Sequence, residues 1–393
     1  VTPYIRRLLF AVSSSRLQSR FLLSAFVSYM LQMGVHSNGE WSHAPLHCHL
    51  LGVTIDALKR VLNDTGEVKL MEQMKMRLIR TELEKDFFSD GNGGVDYTKQ
   101  VPPDMLARHA ARLSQLTVDG DAIGYDTMYM AEELAKEHMV PDGRGKAVVE
   151  ILRSGVGKVT HFVSWCMAYR VKDLVQALEE FQASQRETCY FYINTLSLRQ
   201  PAKNNASVSG ESFQDMLARL FEESLQAAGH TVFVIDNFGD PGALKRAWCL
   251  YEVLESIQRE CRFDVVLTGV QRRTLLDELR GQVDRAAGTA AMAIVARFTD
   301  IDAEAAQAGN PDDREMIFGR IRRSAGGFAR MNGVVKGQMR SWMRQQAASA
   351  VKHSANAKDG KLFGGVADLM RVLGDYARAM ELNEQALQIQ EGA

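Results

Sequence analysis

No two of the five cysteines (48, 166, 189, 249 and 261) form a CxxC pair, and five is an odd number. That excludes a closed disulfide scaffold and a structural zinc site built on paired thiolates, and it points to reduced thiols inside a cell. The sequence also lacks the unbroken apolar run of about 20 residues that a membrane span needs. Its most apolar early stretch, Leu8 to Met33, is interrupted by Arg16, Gln18, Ser19 and Arg20. Net charge is nearly absent, since 47 basic against 48 acidic residues leave −1. No global field therefore draws the chain to nucleic acid or to a membrane, and neither is an expected partner. Catalytic signatures are missing too: there is no Walker A loop, no GxGxxG after a strand, no HExxH and no GxSxG.

What remains is ordinary globular composition, with 46% hydrophobic and 24% charged residues in 393, enough for two or three domains. Residues 1–39 hold four arginines, many serines and no acid. They read as a basic amphipathic helix packed on the next domain, or as an organelle-directing leader. The expected location is otherwise the cytoplasm.

Residues 1–150 read as a helical region without strands. Met71, Met74, Leu78 and Leu83 follow a period near 3.6, and 105–116 and 128–139 behave alike. From Lys158 the texture changes. Short apolar runs at 159–164, 189–193, 231–235, 263–268 and 292–298 predict five strands. They alternate with amphipathic segments at 173–181, 213–225, 244–257 and 275–280. In 213–225 the apolar residues recur at spacings of 3, 1, 3, 1 and 4, and Gly229 stands where a helix C-cap glycine belongs. Strands alternating with helices imply βα units and a parallel sheet.

A helical segment over 301–355 follows. Between Arg314 and Lys352 it carries nine basic residues and one acid, Glu315. It reads as a solvated face or as a docking surface for an acidic partner. Only Phe318, Phe328 and Trp342 are interleaved with the charges, too few aromatics for a nucleic-acid surface. In 360–393, the pattern Leu373-Gly374-x-Tyr376 with Ala379 and Ala386-Leu387 resembles the start of a tetratricopeptide repeat. One repeat cannot bury its own apolar face, so a continuing array is expected, with Leu369, Leu373, Tyr376, Met380 and Leu387 packed on the basic helices or partly exposed.

Three constellations invite chemistry. His36, His43, His47 and His49 gather around Cys48, but no second ligand group stands out and Pro45 puts them on irregular backbone, so no metal is expected. Phe87-Phe-Ser-Asp-Gly-Asn-Gly-Gly-Val-Asp96 has the outline of an EF-hand loop. Phe88 and Lys99 replace its first and twelfth acids, and tight calcium binding over 86–126 is not expected.

The third is Ala247-Trp-Cys-Leu-Tyr-Glu252, on the helix after the predicted third strand. With Thr160–Ser164, Tyr190–Ile193, the polar loop 199–210 and Thr231–Asp236, it resembles a TIR-like domain over residues 158–280. The layout resembles that of microalgal and protist proteins in which such a domain precedes kinesin-light-chain-type tetratricopeptide repeats. The resemblance implies an α/β fold: a flavodoxin-like five-stranded parallel sheet in 155–300, between helical N-terminal and C-terminal regions. It implies self-association through the TIR-like domain and recruitment of protein partners through the repeats. A cargo adaptor of kinesin-light-chain type would rest on the last 25 or so residues alone.

The alternative it implies is an NAD hydrolase, with NAD as substrate and no cofactor. By position Glu252 would be the catalytic carboxylate, stabilising positive charge on the ribose. Ser164, Trp165, Arg170, Asn194, Asp236 and Trp248, at or near the carboxyl ends of the strands, would line the substrate site. Trp248 and Glu252 are four apart and share a helix face. The plainer reading sets Trp248, Tyr251 and Leu254 on the sheet and leaves Glu252 exposed.

Overall fold

The computed structural model describes residues 48–62, 131, 145–199, 210, 212–281, 289–354 and 359–391. The EF-hand-like segment, residues 36–47 and, within the polar loop 199–210, residues 200–209 lie outside them.

Six strands form one sheet in the order β2-β1-β4-β3-β5-β6: β1 Leu51–Val53, β2 Val156–Lys158, β3 His161–Ser164, β4 Phe191–Tyr192, β5 His230–Ile235 and β6 Arg262–Leu267. The four strands β4-β3-β5-β6 run parallel. β1 pairs antiparallel with both β4 and β2, in the register Leu51↔Lys158 and Val53↔Phe191. Two corrections follow. The sheet is mixed and six-stranded rather than five-stranded and parallel, and a strand does lie within 1–150.

The predicted fifth strand is a helix, Thr289–Thr299. Four alanines favour helix there, and the buried residues Ala291, Ile294, Val295 and Phe298 recur at 3, 1 and 3 rather than at 2.

The described helices of eight or more residues are α1 Ile55–Leu62, α2 Val171–Ser184, α3 Phe213–Ala228, α4 Ala247–Gln258, α5 Gly269–Leu279, α6 Thr289–Thr299, α7 Pro311–Arg323, α8 Gly327–Ser354, α9 Gly360–Val372 and α10 Tyr376–Glu391. Helix α3 starts on Ser212, whose hydroxyl accepts from Asp215 N, and ends on Gly229 at φ 63°, the left-handed conformation that glycine takes most cheaply.

Both faces of the parallel strands are covered. Successive strand residues point to opposite sides. Phe162 and Tyr192 meet Phe221 of α3 at ring-centroid distances of 5.9 and 6.3 Å. Their neighbours His161 and Phe191 meet Phe181 of α2 at 5.4 and 6.3 Å. Every residue of β5 is buried, as expected of a strand between two helical layers.

The basic segment is packed rather than extended. Ile317, Phe318 and Ile321 of α7 and Met331, Val335, Met339 and Trp342 of α8 are buried. Both helices contact α4. Helices α9 and α10 form a hairpin, and α9 rests on α5, α6 and α8. A Cβ at Gly365 of α9 would stand 1.7 Å from the Leu279 carbonyl oxygen, so only glycine permits this approach. Beside it Arg280 Nε donates to Asp359 Oδ2 at 2.8 Å.

Candidate functional site

The chain order of the parallel strands reverses between β3 and β5. In open α/β sheets the crevice outside the carboxyl ends at such a reversal is where ligands sit. Here those ends are Ser164 on β3 and Asp236, just past β5.

Ser164 lies two residues after Phe162 and shares its side of the sheet, the side that α4 covers. Its Oγ donates to Glu252 Oε2 at 2.5 Å, and both residues are buried, Glu252 at 7% exposure. This corrects the reading of Glu252 as an exposed helix glutamate. Helix α4 is not a surface helix: the sheet lies on one side of it and α7 and α8 on the other. Burial without a cationic partner raises the Glu252 pKa to about 8, and the Ser164 hydroxyl opposes only part of that rise. At neutral pH the group is mostly a neutral acid.

Asp236 is half-buried. Burial first, then the nearby Asp173, raise its pKa to about 6, while the Tyr169 hydroxyl pulls the other way. Tyr169 lies between two loops: its oxygen accepts from Ala243 N at 2.7 Å, and its hydroxyl favours the ionised form of Asp236. Sequence reasoning passed over Tyr169. It stands in the apolar run Trp165-Cys-Met-Ala-Tyr-Arg170, which offers no polar pattern to flag it. Asp236 Oδ1 and the Nε1 of buried Trp165 have no hydrogen-bond partner among the described residues. The Trp165 carbonyl accepts from the Cys249 thiol at 3.5 Å, and burial pushes that thiol far above its ordinary pKa.

The other expected residues are engaged elsewhere. Arg170 is exposed and pairs with Asp173 at 2.7 Å. Asn194 Oδ1 accepts from Thr195 N at 2.9 Å. Trp248 shares α4 with Glu252, but its Nε1 donates to Asp313 Oδ2 of α7 at 3.1 Å and its ring lies 4.9 Å from that of Phe221. The reversal point thus gathers Ser164, Trp165, Tyr169, Asp236 and Glu252, while Trp248 ties α4 to α7.

At the opposite end of the same strands His161 and His230 lie 4.5 Å apart, ring to ring, and His230 Nε2 meets Asp264 Oδ2 at 2.8 Å. Among the described residues no three histidine, cysteine or acidic side chains stand together as a metal site. His49, from the histidine cluster, faces Glu223 at 2.7 Å. No helix among the described residues is long and apolar enough to cross a membrane.

No family model, no curated protein and no solved structure matches the chain.

Proposed function

We propose that the chain is a TIR-like signalling or scaffold module that self-associates and recruits protein partners through its C-terminal helical hairpin. The observation carrying this reading is the outer face of α10. Tyr376, Met380 and Leu387 are 66%, 65% and 55% exposed, while Ala379, Leu382 and Ala386 on the inner face are buried. Large apolar side chains grouped on one exposed stripe are what a protein-binding surface offers. The state of Glu252 supports the same choice, because a neutral, buried acid is poorly placed to stabilise positive charge on a ribose. Sedimentation velocity over a concentration series tests the proposal. The mean mass should rise with concentration, and a monomer throughout would contradict self-association.

A second reading, NAD hydrolysis at Glu252, is favoured by the unpartnered Trp165 N–H and Asp236 carboxylate oxygen, on residues just past the ends of the paired strands β3 and β5. It requires the Ser164–Glu252 pair to open to substrate. Nicotinamide release that Glu252→Gln abolishes would establish it. Release surviving that substitution would remove Glu252 from the chemistry.

A further inference from the structure

Asp236 opens a short loop that is anchored by one side chain. Of residues 236–240, Phe238 alone is buried. Its N–H donates to Gln271 Oε1 of α5 at 2.7 Å, and its carbonyl accepts from Arg297 Nη1 of α6 at the longer distance of 3.5 Å. The Arg297 guanidinium also lies over the Phe238 ring, 5.0 Å from its centroid, and Phe298 meets the same ring at 5.3 Å. Asp236 is two residues from this anchor, within about 7 Å of chain. Where Phe238 is held therefore limits where the carboxylate stands at the reversal point.

Each of these grips is backed by the C-terminal hairpin. Arg297 is itself held by Glu278 of α5, whose two carboxylate oxygens accept from Nη1 at 3.3 Å, and both side chains are largely buried. The next residue, Leu279, is the one whose carbonyl the backbone of Gly365 approaches. Arg280 follows and bonds Asp359, the N-cap of α9. The end of α5 that carries Glu278 is thus fixed by α9. A second route runs through α8. Phe298 meets Trp342 at 5.1 Å, and two residues further on Arg344 Nη2 donates to the Leu373 carbonyl, at the end of α9, at 2.7 Å. Helix α9 therefore grips α5 and α8 immediately beside the residues that hold Phe238.

We propose that Arg297 is a positioning residue for the reversal point, and that the hairpin acts on the Asp236 loop through it. With α9 seated on Leu279 the loop is held; with α9 unseated it is released. The regulatory use of this coupling rests on the reading of α9–α10 as a partner-recruiting hairpin. A partner that prefers the unseated hairpin releases the loop by as much free energy as that preference supplies. By reciprocity, a ligand that fixes Asp236 weakens that partner by the same factor.

The test is hydrogen exchange on the full chain, compared over 236–240, over 360–372 and, as a reference for global loosening, over 51–62. Gly365→Glu puts a side chain where none fits. Exchange over 360–372 should rise, exchange over 236–240 should rise about tenfold, and 51–62 should keep its protection. Asp359→Asn breaks the Arg280 ion pair more gently and should act the same way to a smaller degree. Arg297→Met should release 236–240 while 360–372 keeps wild-type protection, and Arg297→Lys, which keeps a cation beside Glu278, should recover most of the loss. Gly365→Glu and Arg297→Met together should raise exchange over 236–240 by less than the product of their single effects, because both act on one contact. A loop that keeps its protection while 360–372 loosens would overturn the proposal. So would a full product in the double variant, loosening of 51–62 to the same degree, or a Gly365→Glu chain unchanged in every segment. None of these outcomes bears on self-association, which sedimentation velocity reads separately. A wild type monomeric at every concentration would in turn remove the self-association reading and leave the positioning result standing.

Discussion

A carboxylate and a serine separated by 88 residues set the character of the reversal point. The Trp-Cys-Leu-x-Glu segment marked Glu252, and the apolar run before it marked Ser164 as a strand end. Burial of Glu252 was not legible, because the side of α4 that meets the sheet is Cys249, Glu252 and Ser256, bonded to Trp165, Ser164 and Thr231, whereas Trp248, in the more conspicuous aromatic stripe, turns to Asp313 of α7. Removing the partner hydroxyl with Ser164→Ala should destabilise the fold by about 1–3 kcal/mol, since it leaves a buried acid under-satisfied. Denaturant unfolding reads this directly, and an unchanged midpoint would mean that the pair is not made. His161 offers a second check. Burial first, then the nearby His230 and Arg262, depress its pKa to about 4, with Asp264 opposing. An imidazole titrating near 4 is expected by NMR, and a value near 6.5 would contradict the packing of its ring against His230 and Phe181.

Elements were legible where one physical signal dominated. The unbroken run Thr231–Ile235 announced a doubly covered strand, and the spacing in 213–225 with Gly229 announced α3 and its cap. The segment 292–298 misled because isoleucine, valine and phenylalanine in a short run look like a strand. Its alanines and its 3-and-4 spacing decide for helix. Strands β1 and β2 are three residues each, and both carry a glycine. They exist through pairing with distant partners, which leaves no periodic trace. The hairpin was legible from its repeat-like pattern, but its docking through Gly365 was not. Gly365→Ala should cost about 1–3 kcal/mol, as overpacking in a closed interface does, and should loosen α9 from α5. Hydrogen exchange over 360–372 should rise well above that over β5. Equal protection in wild type and variant would show that the approach at Leu279 is not tight.

At the scale of the whole molecule, the α/β unit, the basic helices and the hairpin leave chemistry enclosed and interaction surface exposed. The titrating groups make this visible in the pH dependence of stability. His161 has a folded pKa below its unfolded value of 6.5, so its contribution is present above 6.5 and lost as pH falls toward about 4. Glu252 has a folded pKa near 8 against 4.5 unfolded, so its contribution is full below 4.5 and lost as pH rises through about 8. Over the shared window the two oppose each other. Above 6.5 Glu252 carries most of the change, with the end of the Asp236 titration near 6 and, toward pH 9, the raised buried thiols acting in the same direction, and the fold should weaken.

The scaffold reading holds that Glu252 sits in the interior as a neutral partner of Ser164, whereas the hydrolase reading needs it ionised and open. The measurement that separates these most directly is the unfolding free energy of wild type and Glu252→Gln between pH 5 and 9. Glutamine keeps the shape and cannot ionise. The account predicts that wild type loses stability from pH 6.5 to 8.5, by at most about 5 kcal/mol over its whole titration, and that the variant lacks this slope and equals or exceeds wild type at pH 8.5. Parallel curves for the two proteins across that range would show that Glu252 is already ionised in the folded chain, and would contradict the account.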